Sequence, residues 1–475
     1  MMDYLTQDVA EPVHVTRSHD PLAVALGNAS LLGIGYLMLR RRLLAVLTGL
    51  ITVVLVVLLA SVVRSVWFEV VLLVWWVALI AHGWFLASRR AQRVAVRRQR
   101  LVALVVTVPV LLTVGFLRFD AARIERNVTE ARGSGDCAQA SAALGEVGLG
   151  HRVVDAPLTT RGDKTAEACR RLSVARERLT TSLTGDTDAL AEGFNRLAPV
   201  LAELPGHEKM VDVVLDGFLA GLPAENPCHT VTVTDWLRQR EASDNALDRS
   251  ADVVPRTAPA ALVGCGDALM AAKDWEAART RYQQLLDQYP GHELAAKAQE
   301  GARQATLAIE LANVRNLLRG PSSTQPAYCA NPAQYSGAAP YGKGINRALI
   351  YGNDYYTNKF PAEWRAADAA DAVLVVCVGK EEMGTPVQTC PYESKIFPEF
   401  PRDVTFRKIA IPVKVYELRT GKPVADTKVE IGGASCPEVL HYTSYGPTDL
   451  GPPGEVHVTP SDDDVRGAFV PLISP

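Results

Sequence analysis

The chain has 475 residues, with 49 lysines and arginines against 52 aspartates and glutamates, a net charge of −3. That balance excludes an overall nucleic-acid-binding character, and the length allows roughly two to four domains. The average hides a split: before residue 120 the chain is apolar and punctuated by arginine, and beyond it the composition is that of a soluble protein.

The first twenty residues are polar, with Asp3, Asp8, Glu11 and Asp20 against Arg17, and do not open like a cleavable signal peptide. A membrane region follows over 21–118. Leu43–Val63, Val66–Ala87 and Leu101–Leu117 are each apolar for close to the ~20 helical residues that cross a hydrocarbon core. Pro21–Leu39 is uncharged but holds Asn28, Gly33 and Gly35, so it reads as a weaker span, broken or re-entrant.

Basic residues beside membrane spans stay in the cytoplasm. Arg40, Arg41 and Arg42 precede the 43–63 span; Arg89, Arg90, Arg93, Arg97, Arg98 and Arg100 separate the last two. Both clusters give one topology: a 43–63/66–87 hairpin with its outer turn near Arg64, and everything after Leu117 outside. The N-terminus is external if the first segment spans and changes side if that segment is re-entrant. Trp67 and Trp84 suit interfacial anchors, and Glu69 and His82 lie near span ends rather than on a proton path.

All eight cysteines, Cys137, Cys169, Cys228, Cys265, Cys329, Cys377, Cys390 and Cys436, follow the last span, which suits disulfides in an oxidising compartment. No CxxC spacing supports a metal site. Sequence alone cannot fix the pairing. The preferred pairs are Cys137 with Cys169, Cys228 with Cys265, Cys377 with Cys390 across a hairpin, and Cys329 with Cys436.

From 119 to 318 the chain reads helical, with apolar residues at three- and four-residue intervals in 188–204 and 209–222. PGHE occurs at 205–208 and again at 290–293. The stretch from Leu262 to Pro290 resembles one tetratricopeptide (TPR) repeat, the helix–turn–helix unit of 34 residues. Gly266, Trp275, Ala278, Tyr282 and Pro290 match the repeat's small residue, inter-helix aromatic, packing alanine, large aromatic and terminating proline; Leu262 and Cys265 replace its first signature positions. Lys273 stands where the turn glycine is usual, and Leu285 replaces a usual alanine. The two PGHE copies lie two and a half periods apart, so an irregular helical domain is expected rather than a long array.

Residues 319–344, dense in Gly, Pro, Ser and Ala, read as a linker to a small α+β domain over 345–475. There 371–378 suits a buried strand, 404–418 alternates, 423–431 returns across a turn, and Pro460 and Ser461 open a last helix. The triplet Asp462, Asp463 and Asp464 fits a helix start better than a calcium site. No Walker A, GxGxxG after a strand, HExxH or GxSxG occurs, so no catalytic, cofactor-binding or metal residue is assigned.

The expected fold class is multidomain: an α-helical membrane bundle, a TPR-like extracytoplasmic helical domain and the α+β domain. Composition rich in Arg, Ala and Val resembles that of TPR-containing membrane proteins of actinobacterial type. The resemblance implies a place in the bilayer and a binding role, expected to be for a protein partner at the outer membrane face; the charge balance points to no nucleic acid, and the missing motifs to no cofactor. The expected function is an envelope scaffold. The alternative is a sensor or enzyme acting on a wall glycan or small ligand, and convergent polar side chains in a concave site on 345–475 would favour it.

Overall fold

The computed structural model describes residues 20–61, 63, 65–89, 97–393, 399, 401–443 and 451–475. The fold is 61% helical with a sheet region near the C-terminus. Two compact units divide the chain, Met1–Ala258 and Pro259–Pro475.

In the first unit, α1 (Pro21–Ala29) and α2 (Ile34–Met38) precede α3 (Arg42–Ser61), α4 (Val66–Ser88) and α5 (Arg97–Ser134). The last three are long and apolar enough to cross a membrane, and side chains such as Leu43, Val53, Leu73 and Leu112 stay exposed along them. The weak first segment is not one helix. It breaks at residues 30–33, where Leu31 and Gly33 take positive φ angles of 62° and 68°. Nine and five helical residues are each too short to cross ~30 Å at ~1.5 Å per residue. At the far side, α5 does not stop at Leu117 but runs unbroken to Ser134. Arg40 and Arg41 lie between α2 and α3, and Arg42 opens α3. Arg89 caps α4, while Arg97, Arg98 and Arg100 fall in the first turn of α5. Arg64, Arg90 and Arg93 lie outside the described residues.

The rest of this unit is α6 (Cys137–Gly145), α7 (Leu149–Val154), α8 (Ala156–Ser182), α9 (Thr187–Glu203), α10 (Glu208–Leu219) and α11 (Pro227–Gln239). Asp136, Asp155, Asp186 and Asn226 cap α6, α8, α9 and α11 by accepting from first-turn amides. The first PGHE is a latch: buried His207 contacts Leu204 O at 2.9 Å through Nδ1 and Thr165 Oγ1 at 3.0 Å through Nε2. It ties the α9–α10 turn to α8. The Cys137–Cys169 disulfide joins α6 to α8 with a Cα–Cα distance of 5.4 Å.

The second unit begins within α12 (Val254–Ala271) and continues with α13 (Trp275–Gln288) and α14 (Ala295–Leu317). Then come β1 (Ala348–Tyr351), α15 (Asp354–Thr357), β2 (Leu374–Val378), β3 (Glu382–Tyr392), β4 (Arg402–Glu417), β5 (Pro423–Ile431), β6 (Glu455–His457) and α16 (Asp462–Ile473). β1 pairs parallel with β2. β2 and β3 pair antiparallel with successive stretches of β4, at 413–417 and 402–410. β5 and β6 pair with β4 as well. Pro412, which has no N–H to give, sits where the neighbour of β4 changes from β3 to β2.

Alternation along the strands makes two cores. Ile350, Val376, Val413 and Val415 face one side with Tyr356, Phe360, Trp364 and Phe469. Leu349, Val375, Cys377 and Tyr416 face the other, where Val314 and Leu318 at the end of α14 meet Tyr328 and Ala338.

Two expectations change here. Residues 319–344 do not hang free as a linker: Tyr328 is wholly buried, Tyr335 N donates to Leu418 O at 2.8 Å, and Ser336 N donates to Glu310 Oε2 at 2.7 Å. The prolines and glycines fix a docked path rather than a flexible one. Cysteine pairing matches expectation at Cys137–Cys169 but differs among the last four cysteines. Cys329 bonds Cys377 and Cys390 bonds Cys436, so Cys377 and Cys390 do not face each other across a hairpin. Opposite β4 they stand at Lys414 and Val404, ten residues apart along one strand line, or about 33 Å. Cys228 and Cys265 are oxidised too, and no described cysteine is free.

Candidate functional sites in the second unit

Of the residues singled out between Leu262 and Pro290, the structure brings Gly266 against Tyr282. Its ring, 2% exposed, is clasped between two glycines. A Cβ on Gly266 of α12 would stand 2.5 Å from the ring, and one on Gly301 of α14 would stand 2.6 Å from it. Ala278 and Leu262 are buried, Trp275 is half-buried at the start of α13, and Pro290 is exposed just beyond its end. Glycines on both flanks let three helices close on one aromatic. Gly301 was not singled out from sequence, because it lies past the end of the repeat-like stretch.

The ring is also held at its polar tip. The Tyr282 hydroxyl donates to Asp267 Oδ1 at 2.6 Å, and Lys297 Nζ donates to Asp267 Oδ2 at 2.8 Å. Burial pushes the Asp267 carboxyl up, yet the hydrogen bonds from Lys297 and Tyr282 outweigh it and leave the carboxyl below its ordinary range. Burial, with the Asp267 charge added, raises the Tyr282 phenol. Lys273 holds the α12–α13 turn at φ +63°, the left-handed conformation that suits the glycine usual there. The outer face of α13 is polar: Arg279, Thr280, Gln283, Asp287 and Gln288 line a shallow groove of 440 Å³.

A second candidate lies where β1 and β2 end side by side. Parallel strands leave a crevice at their carboxyl ends, a recurrent place for ligands. Here a cavity of 640 Å³ is lined by Gln325, Gly352, Asn353, Gly379, Lys380 and Glu381 with their neighbours. A Cβ on Gly352 would stand 2.1 Å from Val378 O, so only glycine lets the two loops touch. Asn353, also left-handed at φ +46°, ties them by donating through Nδ2 to Gly379 O at 3.2 Å and to Glu381 Oε2 at 3.4 Å. Tyr356 beneath is pushed up to about 12 by burial and by the charge of Glu381. Lys380 is exposed and has no ion-pair partner among the described residues. Both apolar strands run straight into a glycine, ALIYG and LVVCVG, and that shared ending was the signal available in the sequence.

The acidic triplet serves the helix. Asp464 closes a capping box with Ser461, Asp462 pairs with Lys359 at 3.4 Å and Asp463 with Arg466 at 3.3 Å. No metal-holding cluster of His, Cys, Asp and Glu occurs among the described residues.

Compared with protein-family models, curated proteins and solved structures, the chain finds no match in any of the three.

Proposed function

We propose that this chain is a membrane-anchored, extracytoplasmic protein-binding scaffold of the bacterial envelope, with α12–α14 acting as a TPR-like binding layer. The observation that carries this reading is the Tyr282 clasp. It sets Gly266 and Tyr282, at the repeat's small-residue and aromatic positions, against each other with Gly301 of α14 on the other side, and the face of α13 is polar and open. The anchor is α3, α4 and α5, which cross the bilayer; their basic flanks are cytoplasmic and the chain beyond about residue 118 is outside. The oxidised cysteines all follow α5, as that placement requires. The test is a photo-reactive residue at Gln283 in the full-length protein in cells. It yields a discrete adduct that Arg279→Glu with Asp287→Lys removes while folding is kept; an adduct indifferent to those charges defeats the scaffold.

The cleft at the ends of β1 and β2 favours a second reading, in which the sheet region holds a small polar ligand such as a wall-derived saccharide or peptide. Muropeptides titrated into the full-length protein in detergent then raise its melting temperature, and Asn353→Ala with Lys380→Ala abolishes the rise. An equal rise in that variant excludes this cleft.

A further inference from the structure

We infer that residues 20–41 form a re-entrant hairpin that enters the bilayer from the face carrying the arginine loop, turns near its middle and leaves by the same face. The N-terminal tail then lies on the arginine side, opposite the chain that follows α5. The inference goes beyond the proposed function, which holds whichever side the tail occupies.

Two ion pairs mark the ends of the bundle. Asp20, the cap of α1, pairs with Arg100, and its N–H donates to Gln99 Oε1 at 3.1 Å. At the other end Arg118 reaches Glu69 Oε2 at 3.1 Å. Arg100 and Arg118 lie eighteen residues apart on α5, about 27 Å of helix, close to the hydrocarbon thickness. Residue 20 therefore sits at the arginine face. α1 has only nine residues and climbs about 14 Å, half of that depth.

Its end meets the middle of its neighbours. Thr107 donates to Leu26 O at 2.7 Å, Asn28 Nδ2 donates to Leu79 O at 3.1 Å, and Trp76 Nε1 donates to Ala29 O at 2.9 Å. Leu79 lies ten residues from Glu69, about 15 Å below the outer face. The chain then comes back beside itself. A Cβ on Gly27 would stand 2.8 Å from Gly35 N, and one on Gly35 would stand 2.2 Å from Val24 O. Tyr36, on the returning arm, meets His82 Nδ1 through its hydroxyl at 2.8 Å. His82 is three residues beyond Leu79, towards the arginine end of α4, so the return runs downward. Arg40, Arg41 and Arg42 follow at once.

A turn at mid-depth needs its polar backbone satisfied, because hydrocarbon offers no partners. Ser30 Oγ donates to Gly27 O at 2.7 Å and accepts from Leu32 N at 3.4 Å, and Leu31 N donates to Asn28 O at 3.0 Å. Leu32, at the tip, is 59% exposed, which suits lipid and no aqueous face. Asn28 Oδ1, packed beside Gly35, is the buried hairpin side-chain atom left without a partner among the described residues.

The test uses the full-length protein, whose native cysteines are oxidised, with one cysteine added at a time: Arg17→Cys before the hairpin and Arg42→Cys, exposed, after it. A membrane-impermeant maleimide is applied to intact spheroplasts and to inside-out vesicles. A re-entrant hairpin makes both positions react in the same preparation, the inside-out vesicles. Reaction in opposite preparations overturns it, because the segment then crosses the bilayer. Reaction of both in spheroplasts alone keeps the hairpin but reverses the orientation, and so strikes the proposed function instead.

Discussion

The Tyr282 hydroxyl donates to Asp267 Oδ1 at 2.6 Å, joining α13 to α12, while Lys297 brings α14 to the same carboxylate. These bonds lower the Asp267 pKa from its ordinary 3.8. A carboxyl depressed in the folded state stabilises it above the unfolded pKa and loses that contribution as pH falls through the folded value. Asp267→Asn therefore lowers the melting temperature at neutral pH, and the gap from the unaltered protein closes as pH drops below 3.8. Circular dichroism melts across pH read the difference; a gap that widens in acid contradicts the assignment.

Gly266 and Gly301 leave no room for a methyl group against the Tyr282 ring. Gly266→Ala and Gly301→Ala each cost about 1–3 kcal/mol by overpacking. With Tyr282→Leu in place each costs less, a coupling that a double-mutant cycle in denaturant measures. Additive effects would mean the glycines do not clasp that ring.

Lys273 is a side-chain-bearing residue at φ +63°. Lys273→Gly raises the free energy of unfolding by about 1 kcal/mol, read as a higher denaturation midpoint with the slope unchanged. No gain, or a loss, would show that the lysine side chain itself holds the turn.

Cys329–Cys377 closes a loop of 48 residues and fastens segment 319–344 to β2. Replacing both by serine costs about 2–5 kcal/mol and opens protease sites between 319 and 344. Cleavage maps that match those of the unaltered protein would show the segment is held without the bridge.

Elements whose burial follows one local pattern were legible. The apolar run 371–378 became β2, the alternating run 404–418 became β4, and 423–431 became β5. Three of the four apolar segments are helices long enough to cross a membrane. The broken segment was foreshadowed by Asn28, Gly33 and Gly35, although what Asn28 bonds depends on α4, fifty-one residues away. Residues 319–344 misled because composition reports backbone freedom and not the partners that remove it. Tyr328 and Cys329, an aromatic beside a cysteine, were the hint. Pairing by neighbourhood held for Cys137 with Cys169 but failed among the last four cysteines for a related reason: β2 and β3 lie along one line of β4, a fact of register that spacing does not carry. The cleft was missed because its walls come from three separate loops, each unremarkable alone.

The most direct measurement is site-specific photo-cross-linking in intact cells from Gln283 on the open face of α13, with Glu177 on α8 as a control position. The scaffold account predicts one discrete polypeptide adduct from Gln283, absent from Glu177 and lost with Arg279→Glu and Asp287→Lys. Adducts that are the same from both positions, or that contain only further copies of this chain, would contradict it.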